Sequence, residues 1–260
     1  MMNNVRPKKY LGQHFLTDKN IAENIVEALS FKDYHSVLEI GPGKGILTQF
    51  LIKKDHIKLK CIDIDSESIE WLTQEGFPID SLIEADFLKI DIQSVFQEPF
   101  AVIGNFPYNI SSQILFKVLE NRDSVPEMVG MFQKEVAERI AAVPKNKSYG
   151  ILSVLVQSYF DVSLLFIVEP NVFYPPPKVM SAVIRIVRKP LAQQPQIEYS
   201  LLAQVVKAAF GQRRKMLRNS LSPFGINTAP EAQQWLTMRP EQLSVLEFHQ
   251  LVDVLKKASN

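Results

Sequence analysis

The sequence predicts an α/β protein: a parallel sheet with helical crossovers, followed by a smaller all-helical segment. Three observations point to this. From His35 onward, short apolar strand patterns alternate with helical ones, the signature of parallel strands joined through helices. The first strand, Val37-Leu38-Glu39-Ile40, breaks into Gly41, Gly43 and Gly45 and then opens a helix. Glycine there allows a tight turn and lets backbone approach a ligand, so the stretch VLEIGPGKGILT reads as a nucleotide-binding device. Beyond Arg188-Lys189-Pro190 the strand pattern stops, and LAQQPQIEYS reads as a polar linker. The expected domains are residues 1–190, with a basic N-terminal arm, and residues 191–260.

The elements follow in order. Residues 5–16, VRPKKYLGQHFL, form a basic, aromatic arm. Thr17 or Asp18 caps a helix over 19–29, with Ile21, Ile25, Val26 and Leu29 on one face. Residues 36–40 are the first buried strand, and 46–52 the helix after the glycine turn. A second strand over 58–64 ends at Asp63 and Asp65, and Ser66 caps the helix that follows. A third over 81–84 ends at Ala85-Asp86. A fourth, FAVIG at 100–104, runs into Asn105-Phe106-Pro107-Tyr108, and Ser111 caps the next helix. Residues 128–132 give a fifth strand, 134–142 and 149–159 two helices, and 162–168 with 182–187 a closing pair of strands. C-terminal helices are expected over 201–210, 213–221, 229–236 and 240–257.

Composition bounds the function. A hydrophobic content of 46% supplies a core, and the single cysteine, Cys61, excludes an internal disulfide and a cysteine metal cluster. The N-terminal residues carry no long apolar run, and the most apolar stretch, 151–168, is broken by Gln157, Ser158 and Asp161. A soluble, cytoplasmic protein is expected, with no secretory signal and no membrane span. The net charge of +1 hides an asymmetry. Residues 61–98 hold ten acidic side chains and one basic, whereas 178–220 hold nine basic and one acidic. The basic region, centred on Arg213, Arg214, Lys215 and Arg218, can attract a polyanion.

Ligands of such sheets sit outside the carboxyl ends of the strands, and Glu39, Asp63, Asp86 and Asn105 all fall there. The E-x-G-x-G spacing is not the dinucleotide fingerprint. Glu39 would repel a diphosphate but suits a cationic ligand bearing an amino group and a sulfonium. Asp63 is placed to accept ribose hydroxyls, Asp65 less so, and Asp86 to accept an adenine amine. Asn105-Phe106-Pro107-Tyr108 is the sharpest signal. An amide oxygen and a proline-stiffened carbonyl can accept both hydrogens of an aromatic amine, freeing its lone pair for attack. Tyr108 would stack on the base, and Phe173, in the stiff loop Phe173-Tyr174-Pro175-Pro176-Pro177-Lys178-Val179, could cover its second face.

Several blocks in this order carry a resemblance: LGQHFL at 11–16, the glycine turn, GNFPYNI at 104–110, FQKEVAERI at 132–140, SYGILSV at 148–154, FYPPPKVMS at 173–181 and AFGQRRKMLRNSL at 209–221. Together they resemble the ribosomal RNA adenine dimethyltransferase family, its bacterial small-subunit (16S) branch above all. The resemblance implies a Rossmann-like class I methyltransferase domain, with a mostly parallel seven-stranded sheet, and a small all-helical C-terminal domain. It implies S-adenosyl-L-methionine as cofactor, contacted by His14, Leu16, Gly41, Asp63, Asp86 and Asn105, to which the residue reading adds Glu39 and Gly43. It assigns the target base to Asn105, Pro107 and Tyr108 with Phe173. The implied reaction places two methyl groups on N6 of each of two neighbouring adenosines near the 3′ end of 16S rRNA, within the small ribosomal subunit. A monomer that needs no metal is expected. The RNA surface falls to Arg6, Lys8 and Lys9 of the arm, to Lys178, and to Arg213, Arg214, Lys215 and Arg218. Three positions depart from the family pattern: Asp63 stands where Glu is usual, Phe106 where Leu is usual, and His14 where many members have Asn.

Other readings remain open here. A large-subunit rRNA methyltransferase of the antibiotic-resistance type shares the chemistry, though FYPPPKV and QRRKMLRNSL argue against it. DNA adenine methyltransferases share an Asn-x-Pro-Tyr loop. A ribosome assembly factor with secondary catalysis would bind subunits without needing Asn105. The glycine spacing and Glu39 argue against a nicotinamide dehydrogenase.

Overall fold

A computed structural model of the chain describes residues 5–258; residues 1–4 and 259–260, at the ends of the two expected domains, lie outside that description. In chain order the regular elements begin with β1 (Phe15–Leu16), α1 (Lys19–Glu27), β2 (Ser36–Ile40), α2 (Thr48–Leu51), β3 (Lys58–Asp63), α3 (Ser66–Gln74), β4 (Leu82–Glu84), β5 (Phe100–Asn105) and α4 (Ser111–Glu120). There follow β6 (Glu127–Gln133), α5 (Lys134–Ala141), α6 (Ile151–Tyr159), β7 (Phe160–Val168), β8 (Phe173–Tyr174), β9 (Ser181–Arg188), α7 (Tyr199–Gly211), α8 (Leu217–Ser220) and α9 (Val245–Ala258).

Seven strands make one sheet in the order β4-β3-β2-β5-β6-β9-β7. The first five run parallel, and β9 joins β6 antiparallel. Every residue of β2 is buried, as a strand covered on both faces requires. Val37, Ala101, Ile103, Val129, Met131 and Val183 form one core with Ile25, Val26 and Leu51 of the neighbouring helices. The alternate positions Leu38, Val102, Met128 and Ile184 are buried too and point to the opposite face.

The chain separates into two compact units, Met1–Ala137 with Ser163–Arg188, and Glu138–Val162 with Lys189–Asn260. Residues 138–162, expected in the first domain, therefore belong to the second unit. Side chains of α6 explain this: Ser153 Oγ donates to Arg139 O, Gln157 Nε2 to Ile140 O and Ala142 O, and Ser158 Oγ lies 2.8 Å from His249 Nε2 of α9.

Helix starts and ends differ from expectation where a partner intervenes. Asp18 caps α1, accepting from Asn20 N and Ile21 N, and Asp65 rather than Ser66 caps α3. Ser111 is no cap; its hydroxyl donates to Tyr108 O. The long helices expected over 213–221 and 240–257 are shorter. Leu217 N and Arg218 N bond to Met238 O and Leu236 O instead of a preceding helical turn, so Arg213, Arg214 and Lys215 lie in a turn. Ser244 and Glu247 form a reciprocal cap, which starts α9 afresh after the Pro240–Gln242 turn.

Candidate active site

A cleft of about 190 Å³ opens at the carboxyl ends of β2, β3, β4 and β5. Its walls include Gly41, Gly43, Asp63, Asp86, Asn105, Pro107 and Tyr108, with His14 and neighbouring arm residues along one side. Of the strand-end residues singled out from the sequence, Asp63, Asp86 and Asn105 are brought together here. Among the described residues no lysine or arginine lines it.

The turn after β2 is shaped by close approach. Gly43 has φ +54°, and a Cβ there would sit 2.8 Å from the Phe15 ring. Gly41 N donates to Ile62 O at 2.9 Å, tying the turn to β3. Asp63, 7% exposed, accepts from Gly43 N at 3.3 Å and from Asp65 N at 2.9 Å. Burial raises its pKa to about 6, against those backbone donors. Asp86 accepts from Leu88 N at 3.0 Å and stands 3.4 Å from Lys89 Nζ. Behind it, Lys117 Nζ donates to Phe87 O and Ile90 O at 2.6 and 2.5 Å, holding the loop. Neither lysine role was visible in the sequence, because neither falls in a motif.

At the end of β5, Asn105 Nδ2 donates to His14 O at 2.9 Å. A carbonyl only accepts, so this bond fixes which way the amide faces and leaves Oδ1 as the acceptor. Pro107 O takes Ile110 N at 3.1 Å, pinning the turn and leaving one lone pair. The Tyr108 ring stacks on His14, centroids 5.4 Å apart, and its hydroxyl lies 2.6 Å from Ser181 Oγ. His14 Nδ1 lies 2.7 Å from Pro175 O, so that nitrogen carries the proton.

Four assignments are corrected. Glu39 does not line the cleft: it is 1% exposed, accepts from Cys61 Sγ at 3.6 Å, and burial raises its pKa to about 7. Leu16 and Phe173 are core residues, paired across β1 and β8, so neither faces the cleft. Lys8 is drawn inward to Asp65 at 2.5 Å and is not an open phosphate contact.

Phe106 fits its unusual size locally. Its ring fills the space over Gly104 and Gly130, where a Cβ would meet it at 2.6 and 2.1 Å, and it meets Phe132 edge-on.

Arg6, Lys9, Lys178, Arg214, Lys215 and Arg218 are exposed, and Arg213 is half-buried. In the second unit Arg214, Lys215, Arg218 and Arg239 border a polar groove of about 760 Å³. Arg239 was missed because it stands 21 positions beyond Arg218, with no other basic residue between them. Among the described residues there is no cluster of metal ligands and no helix long and apolar enough to cross a membrane.

Residues 4–257 match the family profile described as ribosomal RNA adenine dimethylase. The chain is 51% identical over 257 residues to ribosomal RNA small subunit methyltransferase A of Cytophaga hutchinsonii, covering 98% of this chain and 99% of that protein. It is 50% identical to the protein of the same name from Bacteroides thetaiotaomicron, covering 99% and 97%. Among solved structures, a dimethyladenosine transferase from Plasmodium falciparum is similar at TM-score 0.80 and 26% identity, covering 95% of this chain and 98% of that one. The 23S rRNA methyltransferase ErmE is similar at TM-score 0.66 and 25% identity, covering 92% and 99%.

Proposed function

We propose a reaction for this chain from one premise: it belongs to the ribosomal RNA adenine dimethylase family. The chain transfers methyl groups from S-adenosyl-L-methionine to N6 of two adjacent adenosines near the 3′ end of 16S rRNA in the small subunit. The shared name of its half-identical relatives supports the small-subunit target. The cytoplasm, where subunits are assembled, is the corresponding place of action.

The cleft suits the cofactor. Asp63 would accept the ribose hydroxyls, Gly41 and Gly43 would admit the ligand close to backbone, and Asp86 would accept the adenine amine. The absence of lysine and arginine from the lining fits a nucleoside carrying a sulfonium. When bound, S-adenosylmethionine supplies an electrophilic methyl group.

The observation that carries the reading is the fixed Asn105 amide. Held by His14 O, it leaves Oδ1 free to accept, and Pro107 O, which also lines the cleft, would be the second acceptor for the hydrogens of an adenine amine. Accepting them pulls the nitrogen toward a pyramidal geometry and frees its lone pair. This is positioning and electrostatic catalysis, without an enzyme-bound intermediate. Two acceptors tolerate the loss of one N–H after a first methylation, so a second transfer remains possible. Tyr108 would stack on the base. Exposed Arg6, Lys9, Lys178, Arg214, Lys215 and Arg218 would meet phosphates.

The test is transfer of labelled methyl from S-adenosylmethionine to under-methylated small subunits, large subunits, naked rRNA and duplex DNA, followed by nucleoside analysis. Dimethyladenosine on small subunits alone is expected. Label on large-subunit RNA or DNA overturns the substrate, and tight subunit binding without label overturns the enzymatic reading.

A further inference from the structure

Asp65 is the aspartate that the cofactor reading leaves unused. It stands two residues past Asp63, is 3% exposed, and caps α3 by accepting from Glu67 N at 3.2 Å. Ser68 Oγ of the same helix donates to its Oδ2 at 3.3 Å, and its two remaining side-chain partners come from the N-terminal arm. Lys8 Nζ donates to Oδ1 at 2.5 Å and Gln13 Nε2 to Oδ2 at 3.1 Å. Lys8 N also donates to Gln13 Oε1 at 2.8 Å, closing a ring of bonds. Between these two anchors, Tyr10, Leu11 and Gly12 run along the cleft. The next residue after Gln13 is His14, whose carbonyl holds the Asn105 amide.

A carboxylate buried this deeply needs partners. Burial pushes Asp65 up, but the Lys8 and Gln13 bonds hold it below its ordinary value, and the Asp65 bond holds Lys8 well above its own. Each partner favours the charged form of the other.

We infer that Asp65 is a positioning residue for the reaction: it clamps the arm across the cleft, retaining the cofactor and keeping the Asn105 amide in its productive orientation. This rests on the reading of the cleft as the cofactor site. It predicts that the buried partner of Lys8 matters and that its exposed one, Glu67 at 3.1 Å, does not.

The test uses the full-length enzyme with Asp65→Asn, Lys8→Met, their combination, and Glu67→Gln. Asparagine keeps an oxygen for the helix cap, and melting temperature checks the fold. The readouts are affinity for S-adenosylhomocysteine by calorimetry, the rate of trypsin cleavage after Lys9, and the split between KM and kcat. Asp65→Asn and Lys8→Met should each weaken S-adenosylhomocysteine about tenfold, or ~1.4 kcal/mol, and speed cleavage. KM for S-adenosylmethionine should rise more than kcat falls. The combination should be no worse than the worse single variant, since both break one contact. Glu67→Gln should change affinity by less than about twofold. Wild-type affinity and an equally resistant arm in Asp65→Asn overturn the clamp, as do losses that add in the combination and track melting temperature. A wild-type enzyme that fails to bind S-adenosylhomocysteine overturns the cofactor reading and the clamp with it.

Discussion

The two halves of the cleft are held by different kinds of contact. On the cofactor side the bonds to Asp63 are local, Asp65 N and Gly43 N reaching it across 2 and 20 residues, while the arm's hold on Asp65 spans 57 and 52. On the base side they are distant: Tyr108 reaches Ser181 across 73 residues, Asn105 reaches His14 across 91, and His14 reaches Pro175 across 161. The Asp63 bonds need only β2 and β3 to be paired. Those on the base side exist only once the arm and the FYPPPKV loop have come together over β5. The floor of the cofactor pocket is built from neighbouring strands with the arm laid along it, whereas the base site depends on three remote segments meeting.

The largest effect should come from the centre of the base side. Asn105→Ala should lower the single-turnover rate about a thousandfold, the scale of losing one preorganised electrostatic group. Next, Tyr108→Ala should raise KM for small subunits about tenfold to a hundredfold, the worth of one stacked base. Tyr108→Phe, which loses only the Ser181 contact, should change KM by less than about threefold. Phe173→Leu sharpens the contrast: a core residue should lower melting temperature more than it raises KM.

This division also explains what was legible in the sequence. The glycine turn, Asp63, Asp86 and Asn105 could be read because strand ends and helix starts leave local signals. Glu39 misled because its position in the motif does not reveal that its side chain turns into the core beside Cys61. Leu16 and Phe173 misled because their mutual strand pairing joins opposite ends of the first unit. The helix expected over 213–221 failed for the same reason: the 236–238 segment takes its first amides. Lys8 looked like one more basic residue until Asp65 claimed it.

Buried carboxylates on the cofactor side give a pH signature. Burial raises Glu39 to about 7 and Asp63 to about 6, above their values in an unfolded chain. Between about pH 4 and 7 the folded chain therefore holds more of these protons, and their contribution to stability falls as pH rises through that window. Glu39→Gln removes the larger share. Its stability relative to wild type should improve by ~2 kcal/mol between pH 5 and 8, measured by chemical denaturation. A difference independent of pH would mean that Glu39 is not protonated in the folded chain at pH 5.

The smallest effect lies away from the cleft. Arg213→Ala with Arg214→Ala should weaken small-subunit binding about tenfold at physiological salt and flatten its log–log salt dependence by about 1.5. S-adenosylhomocysteine affinity should be unchanged. Normal subunit binding by this variant would remove the second unit's basic turn from the RNA surface.

The separation of the two halves is tested most directly by calorimetric binding of S-adenosylhomocysteine to wild type, Asp63→Asn and Asn105→Ala at pH 8. Wild type and Asn105→Ala should bind within about threefold of each other, while Asp63→Asn, which trades a carboxylate for an amide facing the ribose, should bind about thirtyfold more weakly. An Asn105→Ala enzyme that loses affinity as fully as Asp63→Asn would contradict the account, for the cleft would then be one indivisible site.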